Sequence, residues 1–229
     1  MFGGTFLRQE RSCVQYVKIR AMELLDSVFV IAIIMFSAVI HEVMHGVAAD
    51  RLGDPTARYA GRLTLNPISH LDPFGSVLLP VLLAVSQSPF LFGWAKPVPY
   101  NPYNLTKAPR WGEAIVAFAG PASNFAIALV FGLVIRLGIA APINDILFVV
   151  VAVNVMLGIF NLIPIPPLDG SKILPMFLPG SLKRSYDGLR AQLEYNPFMG
   201  MGLVLLVVIL MGGAFGNFVY RVAHLLAGL

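Results

Sequence analysis

The stretch LDSVFVIAIIMFSAVIHEVMHGVAA, Leu25–Ala49, decides the fold, because it is apolar enough to lie in lipid yet contains His41, Glu42 and His45. A helix that crosses a bilayer needs about 20 mostly apolar residues, so the stretch predicts a membrane-spanning helix. This helix should end within RLGDP, residues 51–55, where glycine and proline stop it. Ionisable side chains inside a span are costly and usually functional, so the same stretch indicates a site.

The composition indicates an integral membrane protein. Of the 229 residues, 57% are hydrophobic and 12% are charged, and the mean hydropathy is +0.77, whereas a soluble domain has about 25% charged residues. The net charge of +4 comes from segments between the apolar runs, which suits anionic lipid headgroups; no basic block interleaved with aromatic residues indicates nucleic-acid binding. Cys13 is the only cysteine, which excludes an intrachain disulfide and argues against a thiolate metal site.

The predicted fold class is an all-α integral membrane protein, a compact polytopic bundle of about four full spans plus a re-entrant membrane segment. The later spans are predicted at Trp111–Leu137, Ile143–Ile163 and Phe198–Leu226. The re-entrant segment is residues 74–92, which are apolar but short and contain two prolines. We expect an N-terminal surface segment, residues 1–24, and one membrane-embedded domain, residues 25–229. A short strand is predicted at ARYAGRLTL, residues 57–65.

The motif HEVMH, residues 41–45, has the spacing of a metal site. Histidines four residues apart share one helix face and can bind one ion together. Zinc accepts imidazole nitrogen, and a catalytic zinc has three protein ligands and one open position. Glu42 follows the first histidine and can take a proton from a water molecule that the metal activates. The alternative is a set of polar side chains that hydrogen-bond between helices without a metal.

Two histidines need a third ligand, and the candidate is Asp169 in NLIPIPPLDG, residues 161–170. The prolines exclude helix there, and irregular backbone at membrane depth is tolerated only where it lines a cavity or is buried in protein. The other interpretation is an ordinary loop whose aspartate caps a helix. For Asp169 to reach His41, their two spans must run in the same direction, so an odd number of crossings lies between them. With Trp111–Leu137 as that crossing, residues 74–92 must return to the side from which they enter.

Three motifs in this order resemble the site-2 protease family of intramembrane zinc metalloproteases: HEVMH at 41–45, FAGPASNF at 118–125 and NLIPIPPLDG at 161–170. The resemblance covers roughly Val28 to Ser171 and implies the compact form of the family, without PDZ or CBS domains. It implies one Zn²⁺ per chain, with the ligands His41, His45 and Asp169 and with Glu42 as general base. It also implies that Asn161 lies beside the metal, where it can stabilise an oxyanion.

The resemblance implies regulated intramembrane proteolysis, in which residues 25–229 hydrolyse peptide bonds in or near transmembrane segments of membrane-protein substrates. A zinc-binding transporter and an inactive scaffold homologue are the alternatives. The expected partners are a transmembrane substrate and the lipid bilayer but no nucleic acid, and a homo-oligomer is left open. Basic loops place the active site towards the cytoplasm of a prokaryotic plasma membrane. The basic stretch before Met22 then lies on the opposite side, unless Met22 is the true start.

The roles of two further features, the GPASN motif and His70, are less specific. In GPASN, residues 120–124, Gly120 permits close helix packing and Asn124 is expected to hydrogen-bond across the bundle, a structural role rather than a catalytic one. His70 either makes local hydrogen bonds in its loop or occupies the open zinc position until substrate arrives.

Overall fold

The computed structural model describes the backbone of residues 4–78, 82, 85, 86 and 95–229, and the side chains of these residues from Val28 onward except at 77, 197 and 212. Within these ranges all regular structure is helical, which confirms the all-α class of the prediction. The α-helices are α1 (Gly4–Leu52), α2 (Thr56–Tyr59), α3 (Gly112–Arg136), α4 (Asn144–Asn161), α5 (Gly170–Ile173), α6 (Gly180–Tyr195) and α7 (Pro197–Ala227). Short 3₁₀ or π-type turns occupy Pro67–His70, Pro73–Leu78, Pro102–Asn104, Ala141–Ile143 and Leu174–Met176.

Three helical segments of the described chain are long and apolar enough to cross a bilayer: Val28–Leu52, Gly112–Arg136 and Ala141–Asn161. They agree with the first three predicted spans to within a few residues. A fourth is added at most by the bent pair of α6 and Phe198–Met211, whose axes differ by 106°. The last predicted span lies within α7.

The strand predicted at residues 57–65 is wrong. Asp54 accepts hydrogen bonds from the Thr56 backbone N–H (3.2 Å) and hydroxyl (2.5 Å), which starts the helical turn α2 immediately after α1. Gly61 then takes a positive φ of 65°, which breaks any extended run. Apolar and polar residues alternate in this segment, but its backbone forms a helical turn and not a strand.

Two predicted segments are not tested. The re-entrant segment, residues 74–92, lies mostly outside the described residues, which include its first part within Pro73–Leu78 and residues 82, 85 and 86. The helix α1 runs from Gly4 without a break at residue 24, so no change of secondary structure marks the predicted domain boundary. The surface location of residues 1–24 stays a prediction.

The helix α3 lies between α1 and α4 and runs antiparallel to both. On α1, His45 contacts the Val116 backbone, whereas Ser37, two turns earlier, contacts Asn124. Asn154 of α4 donates to Ser37, and Asp169, which follows α4, contacts His41 and His45 further along α1, so α1 and α4 run parallel, as predicted. The other end of the bundle has an apolar core from α3, α4 and α7, formed by Ala128, Ile135, Leu147, Val151, Val155, Val219, Ala223 and Ala227.

The connection between the first two spans is fixed to the end of α1 by Asp54, whose side chain is fully buried. Besides Thr56, it accepts hydrogen bonds from the Asn101 backbone N–H (2.6 Å) and the Asn104 amide (3.0 Å). Burial alone would raise the pKa of Asp54, but these donors lower it, so the carboxylate is ionised at neutral pH. The extended residues 95–101 are thereby held against α1 beside HEVMH.

Candidate metal centre

The two histidines of α1 are one turn apart, buried, and directed towards α3. The Nδ1 atom of His45 lies 2.7 Å from the Val116 carbonyl oxygen, and that of His41 lies 2.6 Å from Asn124 Oδ1. Because Nδ1 of each ring donates to a fixed acceptor, the Nε2 atoms are left for another partner. The ring centroids are 4.7 Å apart and the ring planes are nearly perpendicular, so the two Nε2 atoms converge.

The partner that both Nε2 atoms share is Asp169. Its Oδ2 atom lies 3.1 Å from His41 Nε2 and 3.3 Å from His45 Nε2. The loop after α4 brings it there, and residues 162–169 are not helical, as the prolines predict. Gly170 is required for this fold, since a Cβ atom there would lie 2.2 Å from the Leu162 carbonyl oxygen. The ligand loop therefore folds back tightly on the end of α4.

The donor set fits a divalent cation. Each Nε2 presents a lone pair to a carboxylate oxygen when its own Nδ1 is the protonated nitrogen, and a cation between these groups would remove their mutual repulsion. Gly120 provides the space, because a Cβ atom at this position would lie 2.6 Å from Nε2 of both His41 and His45. Two imidazoles and a carboxylate, with a glycine in place of a larger residue beside them, match a catalytic zinc site.

Glu42 is adjacent to this centre. Potential ligand atoms of His41, Glu42 and His45 lie within 4.8 Å of one another, so Glu42 is a geometric alternative to Asp169 as third ligand. We favour Asp169, because one of its oxygens contacts both Nε2 atoms, whereas Glu42 Oε2 accepts a hydrogen bond from the Val98 backbone N–H (2.9 Å). This bond engages Oε2, so Oε1 is the oxygen that we expect to act as general base.

The electrostatics around Asp169 favour its ionised form. Burial alone would raise the pKa of Asp169, but its contacts with His41 and His45 hold that pKa well below the usual range. Lys172, one turn further along the chain, lies with its ammonium 5.3 Å from the centre of the Tyr100 ring. Burial would lower the pKa of Lys172, but Tyr100 and Asp169 raise it, so this neighbour is cationic.

The structure brings His41, His45 and Asp169 into contact and places Glu42 near the two histidines. The fifth predicted site residue, Asn161, has a different partner. Asn161 is the last residue of α4 and donates from its amide to the Leu157 carbonyl (3.0 Å). His70 makes local bonds, with Nε2 at 2.8 Å from the Thr64 carbonyl and Nδ1 at 3.4 Å from the Arg62 guanidinium. Of its two alternatives, the structure shows the local one.

Sequence reasoning missed three groups at this centre. Asn154 carries a signal, since it is the one polar side chain in ILFVVVAVNVMLGIF, residues 146–160. The carbonyl of Val116 and the N–H of Val98 are backbone groups, so their residue types carry no signal. The hydrogen bond of Asn124 across the bundle, in contrast, was expected and is present.

Comparisons with known proteins find a peptidase family and relatives named as zinc metalloproteases. The family model described as Peptidase family M50 matches residues 29–140 and 139–209. "Putative zinc metalloprotease YwhC" of Bacillus subtilis (strain 168) is 34% identical over 190 residues, 79% of this chain and 79% of that protein. "Putative zinc metalloprotease Rip2" of Mycobacterium tuberculosis (strain H37Rv) is 31% identical over 206 residues, 88% of this chain and 74% of that protein. No solved structure matches.

Proposed function

Because the chain belongs to peptidase family M50, the site-2 proteases, and is a membrane zinc metalloprotease, we propose that it cleaves membrane-protein substrates in or near their transmembrane segments. The observation that carries the proposal is the convergence of His41, His45 and Asp169 beside Glu42, within a bundle of apolar helices. Such a site can hydrolyse peptide bonds at a depth that soluble proteases do not reach. We propose that this cleavage serves regulated intramembrane proteolysis.

The roles of the residues follow from their positions. His41, His45 and Asp169 would hold the zinc ion, which would supply an activated water molecule and polarise the scissile carbonyl. Glu42 takes the proton of the attacking water on Oε1 and passes it to the leaving amine. The Val98 N–H holds the other oxygen, so the carboxylate keeps one orientation during both transfers. Asn161 donates a hydrogen bond to the oxyanion. To do so, its amide must leave the Leu157 carbonyl, to which it donates in this structure, and turn towards the substrate.

Water has to reach this site. A cavity of about 250 Å³ lies between the start of α3, the segment after Asp169, and α6; its wall includes the charged side chains of Glu113, Lys172 and Arg190. The Arg190 guanidinium donates to Glu113 at 2.6 Å, and the Tyr186 hydroxyl donates to the Pro164 carbonyl of the ligand loop at 2.9 Å. We propose that this polar face is cytoplasmic, in a prokaryotic plasma membrane, because its segments are rich in lysine and arginine.

Cleavage of a defined substrate in proteoliposomes tests the proposal. The purified protein should cut a single-span protein whose helix contains an Asn-Pro step, and mass spectrometry should place the cut within or next to the span. Addition of 1,10-phenanthroline should reduce cleavage to background, and excess zinc should restore it, because the activity depends on the ion. Cleavage that continues with the chelator present, or that occurs only in soluble tails, would contradict the proposal.

A matched substrate is the control for helix unwinding. The same protein with leucines in place of Asn-Pro should be cut more slowly, because its carbonyls stay in backbone hydrogen bonds. Zinc movement across the vesicle membrane without cleavage of either substrate would instead favour the transporter alternative.

A further inference from the structure

A chain of three buried polar side chains connects the second and third spans to a proposed zinc ligand. Ser37, Asn124 and Asn154 have exposed fractions of 5%, 0% and 0%. The Asn124 amide donates to Asn154 Oδ1 at 2.9 Å, and the Asn154 amide donates to the Ser37 hydroxyl at 2.9 Å. The chain ends at His41, whose Nδ1 lies 2.6 Å from Asn124 Oδ1. The proposed reaction uses none of these three residues.

The direction of every hydrogen bond in this chain is set by one backbone carbonyl. The Val150 oxygen can only accept, and the amide nitrogen of Asn154 lies 2.9 Å from it. The Asn154 oxygen must therefore face Asn124, which must turn its own amide nitrogen towards that oxygen. The oxygen of Asn124 is then directed at His41. An oxygen in that place requires a proton on Nδ1 of His41 and leaves the Nε2 lone pair free.

We propose that Asn124 and Asn154 are positioning residues for zinc binding, acting through the tautomer and ring orientation of His41. The inference rests on the proposed function, in which His41 is a ligand through Nε2. His45 obtains the same orientation from the backbone oxygen of Val116, which no substitution removes. The tautomer of His41 therefore depends on the side chains of Asn124 and Asn154, whereas that of His45 depends on a backbone carbonyl alone. Outer-shell partners of this kind usually affect metal affinity by about 10–100-fold.

A purely structural role makes a different prediction. Polar side chains that join transmembrane helices stabilise a bundle modestly, and in a purely structural role their loss would lower stability without a change in the His41 ring. The two roles are separated by readouts on the histidine and the metal rather than on the fold.

The decisive pair of variants is Asn154→Leu and Asn154→Asp. Both lose the bond to the Val150 carbonyl, but only aspartate keeps an acceptor for the Asn124 amide, and it can also accept from the Ser37 hydroxyl. We expect Asn154→Leu to weaken zinc binding about 10-fold or more, measured by competition with a chromophoric chelator, and Asn154→Asp to stay nearer to wild type. Asn124→Leu, which removes the acceptor for His41 itself, should show the largest loss, about 10–100-fold.

The tautomer is read directly by ¹⁵N NMR of labelled histidine, since the chain has 4 histidines. In zinc-free protein, at a pH where the ring is neutral, His41 should be protonated at Nδ1 in wild type and Asn154→Asp. It should become a mixture in Asn154→Leu. Equal zinc affinity and equal spectra for the two Asn154 variants would overturn the proposal, even where Asn124→Leu fails to fold.

Two controls complete the test. Ser123→Ala removes a hydroxyl bond to the Gly120 carbonyl (2.7 Å), one residue from Asn124, and should leave zinc affinity unchanged. His41→Ala separates this inference from the proposed function. Wild-type zinc affinity in His41→Ala would remove His41 as a ligand, and both proposals would fail. Loss of zinc in His41→Ala with none in the asparagine variants would overturn the positioning role alone.

Discussion

Gly120→Ala should abolish zinc binding and with it all cleavage, because the new methyl group would take the place of the metal. Its carbon would lie 2.6 Å from Nε2 of His41 and of His45, and a zinc ion bound to those atoms lies about 2.0–2.1 Å from each. The two rings are held by the hydrogen bonds of their Nδ1 atoms to Asn124 and Val116, so neither can rotate away without losing that bond. The zinc content of the purified variant, measured by mass spectrometry, should fall from one ion per chain to near zero.

Gly132→Ala is the matched control for this substitution. It lies on the same helix, and its Cβ atom would be 2.9 Å from the Leu226 backbone oxygen, far along the bundle from the histidines. This variant should lose thermal stability but keep its zinc. The steric account would be refuted by a Gly120→Ala protein that binds zinc as tightly as wild type.

The second large effect is expected for Glu42→Gln, which should keep zinc and lose cleavage by about 10²–10⁴-fold. Glutamine has nearly the same size, and its oxygen can still accept the Val98 N–H. It cannot take a proton from water at neutral pH. The measurement is the cleavage rate of the Asn-Pro substrate, together with zinc content of the same preparation.

Glu194→Gln is the corresponding control, because this glutamate pairs with Arg190 (3.2 Å) at the surface of α6. Its cleavage rate should stay close to wild type, since surface ion pairs are weak. Equal rates for Glu42→Gln and wild type would remove Glu42 from the mechanism. Loss of zinc in Glu42→Gln would instead make it a ligand, which is the geometric alternative to Asp169.

The sequence predicts the spans and most of the centre for one physical reason. Polar groups are expensive in lipid, so the few that occur inside apolar runs are informative. HEVMH and Asp169 stand out in this way, and the requirement that their spans run parallel is met by α1 and α4 on either side of α3.

The remaining features depend on distances between helices, which no local pattern encodes. Gly120 was expected to serve packing, but its lack of a side chain also leaves the space between the two imidazoles. The carbonyl of Val116 and the N–H of Val98 act through backbone atoms. The strand at residues 57–65 was predicted from alternation, and the side-chain bonds of Asp54 to Thr56 produced a helical turn instead.

The most direct measurement is zinc X-ray absorption on the purified wild type and on Asp169→Asn. If His41, His45 and Asp169 hold one ion, the wild type should contain one zinc per chain, with two imidazole nitrogens at about 2.0–2.1 Å and carboxylate oxygen at about 2.0–2.2 Å. Asp169→Asn should lose most of its zinc. A variant that retains zinc with an unchanged spectrum and affinity would show that Asp169 is not a ligand, and the proposed centre would be incorrect.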